Sequence, residues 1–348
     1  MARLAKIFDK KQTMKKNILL TAVALALSLS WVGCNKSGKL NKPSDLKAPG
    51  GPVELKPKWP LGEHIVQDMD MKMNMELSIP GRPAPMKQDM TLGQEYGLAV
   101  LKETPDGGHE VEMEFLNARM SIAMGGKTMD YDSAKKTSAD KANPMANMFE
   151  KLVGSKIQYF LDASNEVERI EGVDELENRL SSGSQADGLA PFRESMFSKG
   201  RFKQIMSANR FMPPKPVQPG DTWPNTQSFE MGPLGTMTMD FNSTFQSWEM
   251  HGKRNCARIE SQGSIKSTPG TNATPTALSM TISEGDFTSV SWFDPELGIT
   301  IDTTLNEDIK MVMNIPTNQR GKAGAAGQMQ TITNQMKQVI TIKLVSVK

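Results

Sequence analysis

Cysteine is nearly absent. The 348 residues hold two, Cys34 and Cys256, so no disulfide framework staples the fold. Histidine is scarce as well: His64, His109 and His251 are scattered without the mutual spacing of a triad or a metal set, and each reads as a surface or loop residue. No apolar run reaches the roughly 18 residues that a membrane-spanning helix needs. Neither sign of charge dominates, with 41 Lys and Arg against 39 Asp and Glu. Six of the basic residues (Arg3, Lys6, Lys10, Lys11, Lys15, Lys16) and one acid (Asp9) precede Cys34, so the remainder is mildly acidic. Nucleic acid is therefore excluded as a partner, because phosphate binding needs a concentrated basic excess. Gly-x-Ser-x-Gly, His-Glu-x-x-His, Cys-x-x-Cys and dinucleotide-binding fingerprints are all missing, so the expectation is a protein that is not an enzyme and carries no cofactor.

What is present begins with an address. Ile18 to Val32 is an apolar run interrupted only by Thr21, Ser28 and Ser30; Lys15 and Lys16 precede it, and Gly33-Cys34 follow. A basic start, a short apolar centre and a small residue at the end form the pattern of a secretory signal, with Met14 as the expected start. Gly33-Cys34 resembles the lipobox, at which bacterial signal peptidase II cleaves and the cysteine is acylated, although Trp31 stands where that pattern prefers leucine. Residues 1–33 then read as a signal peptide, Cys34 as the lipidation site, and 34–51 as a polar tether with almost nothing to bury. Several acyl chains on one cysteine exceed the two-signal threshold for stable anchoring. By the sorting rule of enteric bacteria, Asn35 after the cysteine implies the outer membrane of the cell envelope.

The body, 52–348, alternates. Asp68-Met69-Asp70-Met71-Lys72-Met73-Asn74-Met75-Glu76-Leu77 puts every methionine on one face and every polar residue on the other, the signature of a half-buried antiparallel strand. Pro80-Gly81-Arg82-Pro83 turns the chain into a returning strand, Met86 to Val100, and further alternating runs follow at 111–115 and 128–131. Helical spacing appears only in the middle, where Met145, Met148, Phe149 and Leu152 precede Gly154, Gly172 opens a second helix, and 191–212 supplies more before Pro213-Pro214. Strands resume after Gly220-Asp221-Thr222-Trp223, with runs at 236–248, 257–265, 277–285, 287–293, 299–313 and 332–347. The expected fold is α+β, mainly β: a single domain with a curved antiparallel sheet or incomplete barrel. Two strand-rich halves (60–133 and 215–348) flank a helical insertion (141–212) packed on one face. Gly62-Glu63 and Gly220-Asp221 each precede a Met-rich strand, a pattern that a distant internal duplication explains and that convergence of simple alternating strands explains nearly as well.

The order Gly62-Glu63, Met-rich strand, Gly93-Gln94, Met129-Asp130-Tyr131-Asp132-Ser133, Phe149-x-x-Leu152-x-Gly154, Gly220-Asp221-Thr222-Trp223 and Phe293-Asp294-Pro295-Glu296-Leu297-Gly298 resembles a bacterial family of secreted or lipid-anchored proteins, domain of unknown function 6263. Nearly the whole mature chain takes part. The resemblance implies class and carries no catalytic residue. The expected fold is also similar to the half-barrels of periplasmic lipoprotein carriers, an analogy of fold alone.

Methionine is the anomaly, at 26 residues. Thioethers ligate Cu(I), and Met120, Met124, Met237, Met239, Met311 and Met313 are the candidate ligands, which neighbouring strands would have to bring together. Flexible, polarizable core filler explains methionine far more often. Between these stands an adaptable Met-lined groove for a lipid or an apolar peptide. The expected function is an envelope lipoprotein that binds an apolar ligand; the alternative is a structural or assembly lipoprotein with a Met-rich core, and a Cu(I) protein ranks below both. Cys256 reads as a small buried hydrophobe. Gly126-Lys127-Thr128 mimics the end of a phosphate loop but lacks its first glycine, and Asp68-x-Asp70 mimics a calcium loop but has Lys72 and Met73 where ligand and glycine belong.

Overall fold

The computed structural model describes residues 50–135, 144–182, 193, 197–206, 211–230, 235–269, 279–317 and 328–348. Cys34, the signal segment and nearly all of the tether lie outside the described residues. Twelve strands follow one another as β1 (His64–Ser78), β2 (Met86–Glu103), β3 (His109–Met124), β4 (Lys127–Asp132), β5 (Lys156–Leu161), β6 (Val167–Glu171), β7 (Thr222–Glu230), β8 (Thr236–His251), β9 (Arg254–Thr268), β10 (Ser279–Asp294), β11 (Ile299–Thr317) and β12 (Gln328–Val347). Helices α1 (Pro144–Leu152), α2 (Val173–Ser181) and α3 (Lys199–Met206) all fall between β4 and β7.

All twelve strands join one antiparallel sheet in the order β6-β5-β3-β2-β1-β12-β11-β10-β9-β8-β7, with β4 on β3. Traced from β7, this is an up-and-down meander to β12 that continues through β1 to β6. The chain's first and last strands pair at its centre, and no ladder joins β6 to β7. Helix α3 nevertheless packs against both of those edges. Laid flat, eleven strands in file would span about 48 Å, whereas an eight-residue helix is about 12 Å long. The sheet must therefore roll until its edges nearly meet, and the helix fills the remaining seam. This is the incomplete barrel that the alternation implies.

The helices lie inside the curl. Phe202 of α3 meets Phe115 of β3 edge-to-face at 6.4 Å, and Phe149 of α1 stacks on Tyr131 of β4 at the same distance. Facing them is the methionine stripe: Met69, Met71, Met73 and Met75 are at most 4% exposed. One large core runs along this inner face. A smaller one, built on Leu55, Val217, Trp223, Phe245, Ala257, Ile259 and Phe293, closes the end where β1 and β7 begin.

The Gly-acid pairs at 62–63 and 220–221 form a matching pair of turns. Ahead of β1, Gly62 (φ 81°) donates its amide to the Val100 carbonyl (3.1 Å), the Val100 amide donates to Glu63 (3.4 Å), and the Glu63 amide donates to Pro60 (3.3 Å). Ahead of β7, Gly220 (φ 96°) donates to Phe245 (2.7 Å), Phe245 to Asp221 (3.0 Å), and Asp221 to Gln218 (3.0 Å). The same three bonds lock each half's first strand beside its second, and the positive φ explains glycine at both turns.

Three sequence expectations change. The runs at 277–285 and 287–293 are one strand, β10; Gly285 sits in it against Ile265 of β9, beside a register shift between Ile282 and Glu284, so it marks a bulge and not a turn. Strand β7 occupies Thr222–Glu230, where the sequence shows only an approach to the strands; Pro224 fits it because β7 is an edge. His64, His109 and His251 are half-buried at strand ends instead of lying free on the surface.

The family-like segment Asp294 to Gly298 acts as a clasp. One Asp294 oxygen accepts from the Glu296 and Leu297 amides (2.8 and 3.1 Å), the other from Arg254; the Arg254 and Asp294 side chains are 4% and 0% exposed. Lys58 ties the incoming chain to this turn through Pro295 and Gly298 carbonyls (2.6 and 3.3 Å). Asp294→Asn leaves a buried guanidinium without its main partner and is expected to cost about 3 kcal/mol, read as a lower urea midpoint at unchanged slope. Glu284→Gln, which breaks the exposed pair with Lys310, should cost less than about 1 kcal/mol.

Candidate functional site: an uncharged pocket between two cores

Strands β8 to β11 place a polar belt on the inner face. Register sets Ser243 opposite Ser261, Ser261 opposite Ser289, and Ser291 opposite Thr303. Four of these five hydroxyls bond in two pairs, Ser243 with Ser261 at 2.7 Å and Thr303 with Ser291 at 3.0 Å. Beside the belt, Phe241 of β8 and Phe287 of β10 face each other across Gly263 of β9. A Cβ there would lie 2.4 Å from that of Phe241, so glycine is what lets the two rings meet, edge-to-face at 5.3 Å. Phe211 stacks on Phe241 from the segment before β7, at 5.7 Å.

Between belt and rings lies a partly open cavity of about 50 Å³, completed by Met212, Met239, Ile259 and Thr300. That volume holds about three or four waters or the end of a larger molecule. No charged side chain lines it. Position and lining together suit an uncharged group with an apolar body and a few hydrogen-bonding atoms.

The other singled-out residues are placed as follows. Met120 and Met124 lie on β3, Met237 and Met239 on β8, and Met311 and Met313 on β11. None of these three pairs is on a strand adjacent to another pair's, so the proposed Cu(I) set is not assembled by neighbouring strands. Direct cross-strand thioether pairs do exist, Met73 with Met90, Met75 with Met336 and Met280 with Met313. His251 stacks on Trp292 at 4.5 Å and bonds Asp302 at 3.2 Å. Among the described residues, no cluster of His, Cys, Asp and Glu could hold a metal.

Asp68 and Asp70, the calcium-like pair, point away from the methionines and share the Arg119 guanidinium at 2.8 and 2.9 Å. Arg119 reaches Asp70 directly over Gly93, where a Cβ would come within 2.6 Å of it. The ion pair absorbs the acids. Gly126-Lys127-Thr128 is the hairpin between β3 and β4. The belt leaves little signal in the sequence, where Ser289 and Ser291 look like ordinary strand positions and only their common parity with Phe287 marks them as inward.

A family model, described as a family of unknown function (DUF6263), matches residues 106–344. Among solved structures, a lipovitellin chain described for its lipid–protein interactions is similar at 9% identity and a TM-score of 0.37. The match covers 84% of this chain and 26% of that one, so this chain spans about a quarter of that protein's length. A Bacteroides fragilis protein described as exported with a YmcC-like fold is similar at 13% identity and a TM-score of 0.26, covering 85% of this chain and 100% of that one. An outer membrane lipoprotein-sorting protein domain from Vibrio parahaemolyticus follows at 9% identity and a TM-score of 0.12, with 81% and 84% covered. At these scores the roles of those proteins do not transfer to this chain. Comparison with curated proteins finds no match.

Cys256 is fully buried, and burial pushes its thiol up to about 12, against the opposing pull of Arg254. The nucleophilic thiolate is therefore scarce at neutral pH. Iodoacetamide at pH 8 should leave Cys256 unmodified in the folded protein and alkylate it in urea. Because the folded value is raised, the stabilisation is complete below the ordinary thiol value of about 8.5 and is lost as pH climbs from there through about 12. Cys256→Val should flatten that part of the stability curve.

Proposed function

Starting from the fact that the chain belongs to the DUF6263 family of unknown function, we propose that it is a lipid-anchored protein of the bacterial cell envelope that binds an apolar ligand inside its rolled sheet, and that it is not an enzyme. The observation that carries this reading is the uncharged pocket between the two cores, with Phe211, Phe241 and Phe287 on one side and the hydroxyl belt on the other. Aromatic and methionine walls with a few neutral polar atoms are what a small apolar ligand site requires. The anchoring half of the proposal rests on the apolar run from Ile18 to Val32 and on Gly33-Cys34; acylation at Cys34, with Asn35 after it, favours the outer membrane.

A second reading has its own support. Met71, Met73 and Met75 are each 1% exposed, as expected if they are simply core, and a structural lipoprotein needs nothing more from them.

Organic extraction of the protein purified from its native envelope should release an apolar molecule in stoichiometric amount, identified by mass spectrometry. Phe287→Ala, which removes one wall of the pocket, should reduce the retained amount about tenfold, the loss of roughly 1.4 kcal/mol of contact. An empty extract would leave the structural reading standing. Separately, metabolic labelling with an alkyne-bearing palmitate should mark the protein and fail on Cys34→Ser.

A further inference from the structure

The methionine face is not uniformly apolar. Gln88 on β2 and Asn334 on β12 occupy inward positions of their strands, in register with Met75 and Leu77 of β1 respectively. Both are almost completely buried, at 1% and 0% exposure. Neither the amide nitrogen nor the oxygen of Asn334 has a hydrogen-bond partner, and the Gln88 nitrogen has none. An amide left unpaired in an apolar setting is more costly than the leucine or methionine that these positions otherwise favour. The Oε1 of Gln338, further along the same face of β12, is unpartnered as well, but only Asn334 lacks a partner at both ends of its amide, and folding alone does not explain it.

We propose that Gln88 and Asn334 form a polar station that receives the uncharged head of an amphiphile whose chain lies along Met75 and Met336. This rests on the reading above that an apolar ligand enters the rolled sheet, and goes beyond it by placing a ligand of stated class at a second position, on β1, β2 and β12 and apart from the β8–β11 pocket. Two interstrand spacings and a two-residue offset put the Cα atoms of Gln88 and Asn334 about 12 Å apart, a gap that their side chains and one small polar group bridge. Asn334 offers both a donor and an acceptor, and Gln88 a donor, so a hydroxyl or amide suits them. On the same face Glu307, 5% exposed, is bonded by Gln338 at 3.0 Å. A buried carboxyl on that face sets it against anionic heads such as a fatty acid. A neutral acylglycerol or acyl amide has the required chemistry.

The mature lipoprotein in phosphatidylcholine nanodiscs is irradiated with 1-monopalmitoylglycerol carrying a diazirine in its chain, and crosslinked peptides are mapped. Unlabelled 1-monopalmitoylglycerol, palmitate and hexadecane serve as competitors. Crosslinks should fall on β1, β2 and β12, and monopalmitoylglycerol should compete at least tenfold better than the other two. Gln88→Met with Asn334→Leu should erase that preference while raising the melting temperature, because it removes unpaired amides. Equal competition by all three, or a preference unchanged in the double variant, overturns the station but leaves ligand binding in place. A double variant that melts lower also overturns it, because the amides would then be serving the fold. Absence of any crosslink inside the sheet overturns both the station and the reading on which it rests.

Discussion

Everything inside this molecule depends on the pairing of its two ends. Strand β1 lies against β12 from Ile65 opposite Val347 to Ser78 opposite Thr333, and backbone bonds between His64 and Lys348 (2.9 and 3.0 Å) finish the seam. Without that ladder there would be two separate meanders, each with an additional open edge. With it, the methionine stripe of β1 is flanked on both sides, by Met90 and Leu92 of β2 and by Met336 and Ile340 of β12. The large core is continuous only because that seam is closed. The pairing joins residues separated by most of the chain, so the loop-closure entropy falls on late assembly and folding should be slow for its size.

The rolled shape follows from the second constraint, the failure of β6 and β7 to pair. A full ladder there would have made a closed barrel. Instead β6 is five residues long, β7 carries Pro224, and helix α3 packs on both. Short edges, a proline and a covering helix are standard ways of blunting a sheet edge. Here they also fill the interior with Phe197, Phe202 and Met206, which belong to the same core as the methionines.

How much of this is legible in the sequence depends on range. Period-two alternation reveals β1 and most strands that follow, because burial on one face is written into each strand locally. Gly285 misleads because a glycine between two apolar runs looks the same whether it turns the chain or bulges a strand. Strand β7 stays hidden because Asn225 and Gln227 lack β-branched bulk and Pro224 argues against a strand anywhere but an edge. Non-local partnerships leave no local trace: nothing near Arg119 announces Asp68, and nothing near Arg254 announces Asp294. The inward polar residues are an intermediate case. Gln88, Met90, Leu92 and Tyr96 share one parity, as do Ile332, Asn334, Met336 and Ile340, so a polar residue in an apolar register was there to be read.

Methionine in place of leucine acquires a meaning in this architecture. A leucine-lined curl packs into a few well-defined rotamers, whereas methionine has three rotatable bonds and fills irregular gaps with little penalty. A wall of that kind re-forms around whatever occupies it, and it closes on itself when nothing does. The near-total burial of the stripe is thus compatible with both readings of function, since a collapsed adaptable surface and a permanent core look alike. What separates them is the polar complement. A permanent core has no need of unpaired amides at Gln88 and Asn334 or of a hydroxyl belt between two apolar clusters. Access matters too: along the β6–β7 seam the curl can open without breaking a single strand-to-strand ladder, and everywhere else opening costs a row of backbone hydrogen bonds. The same missing ladder that keeps the sheet from being a barrel therefore makes this seam, covered by α3, the least costly place for the curl to open.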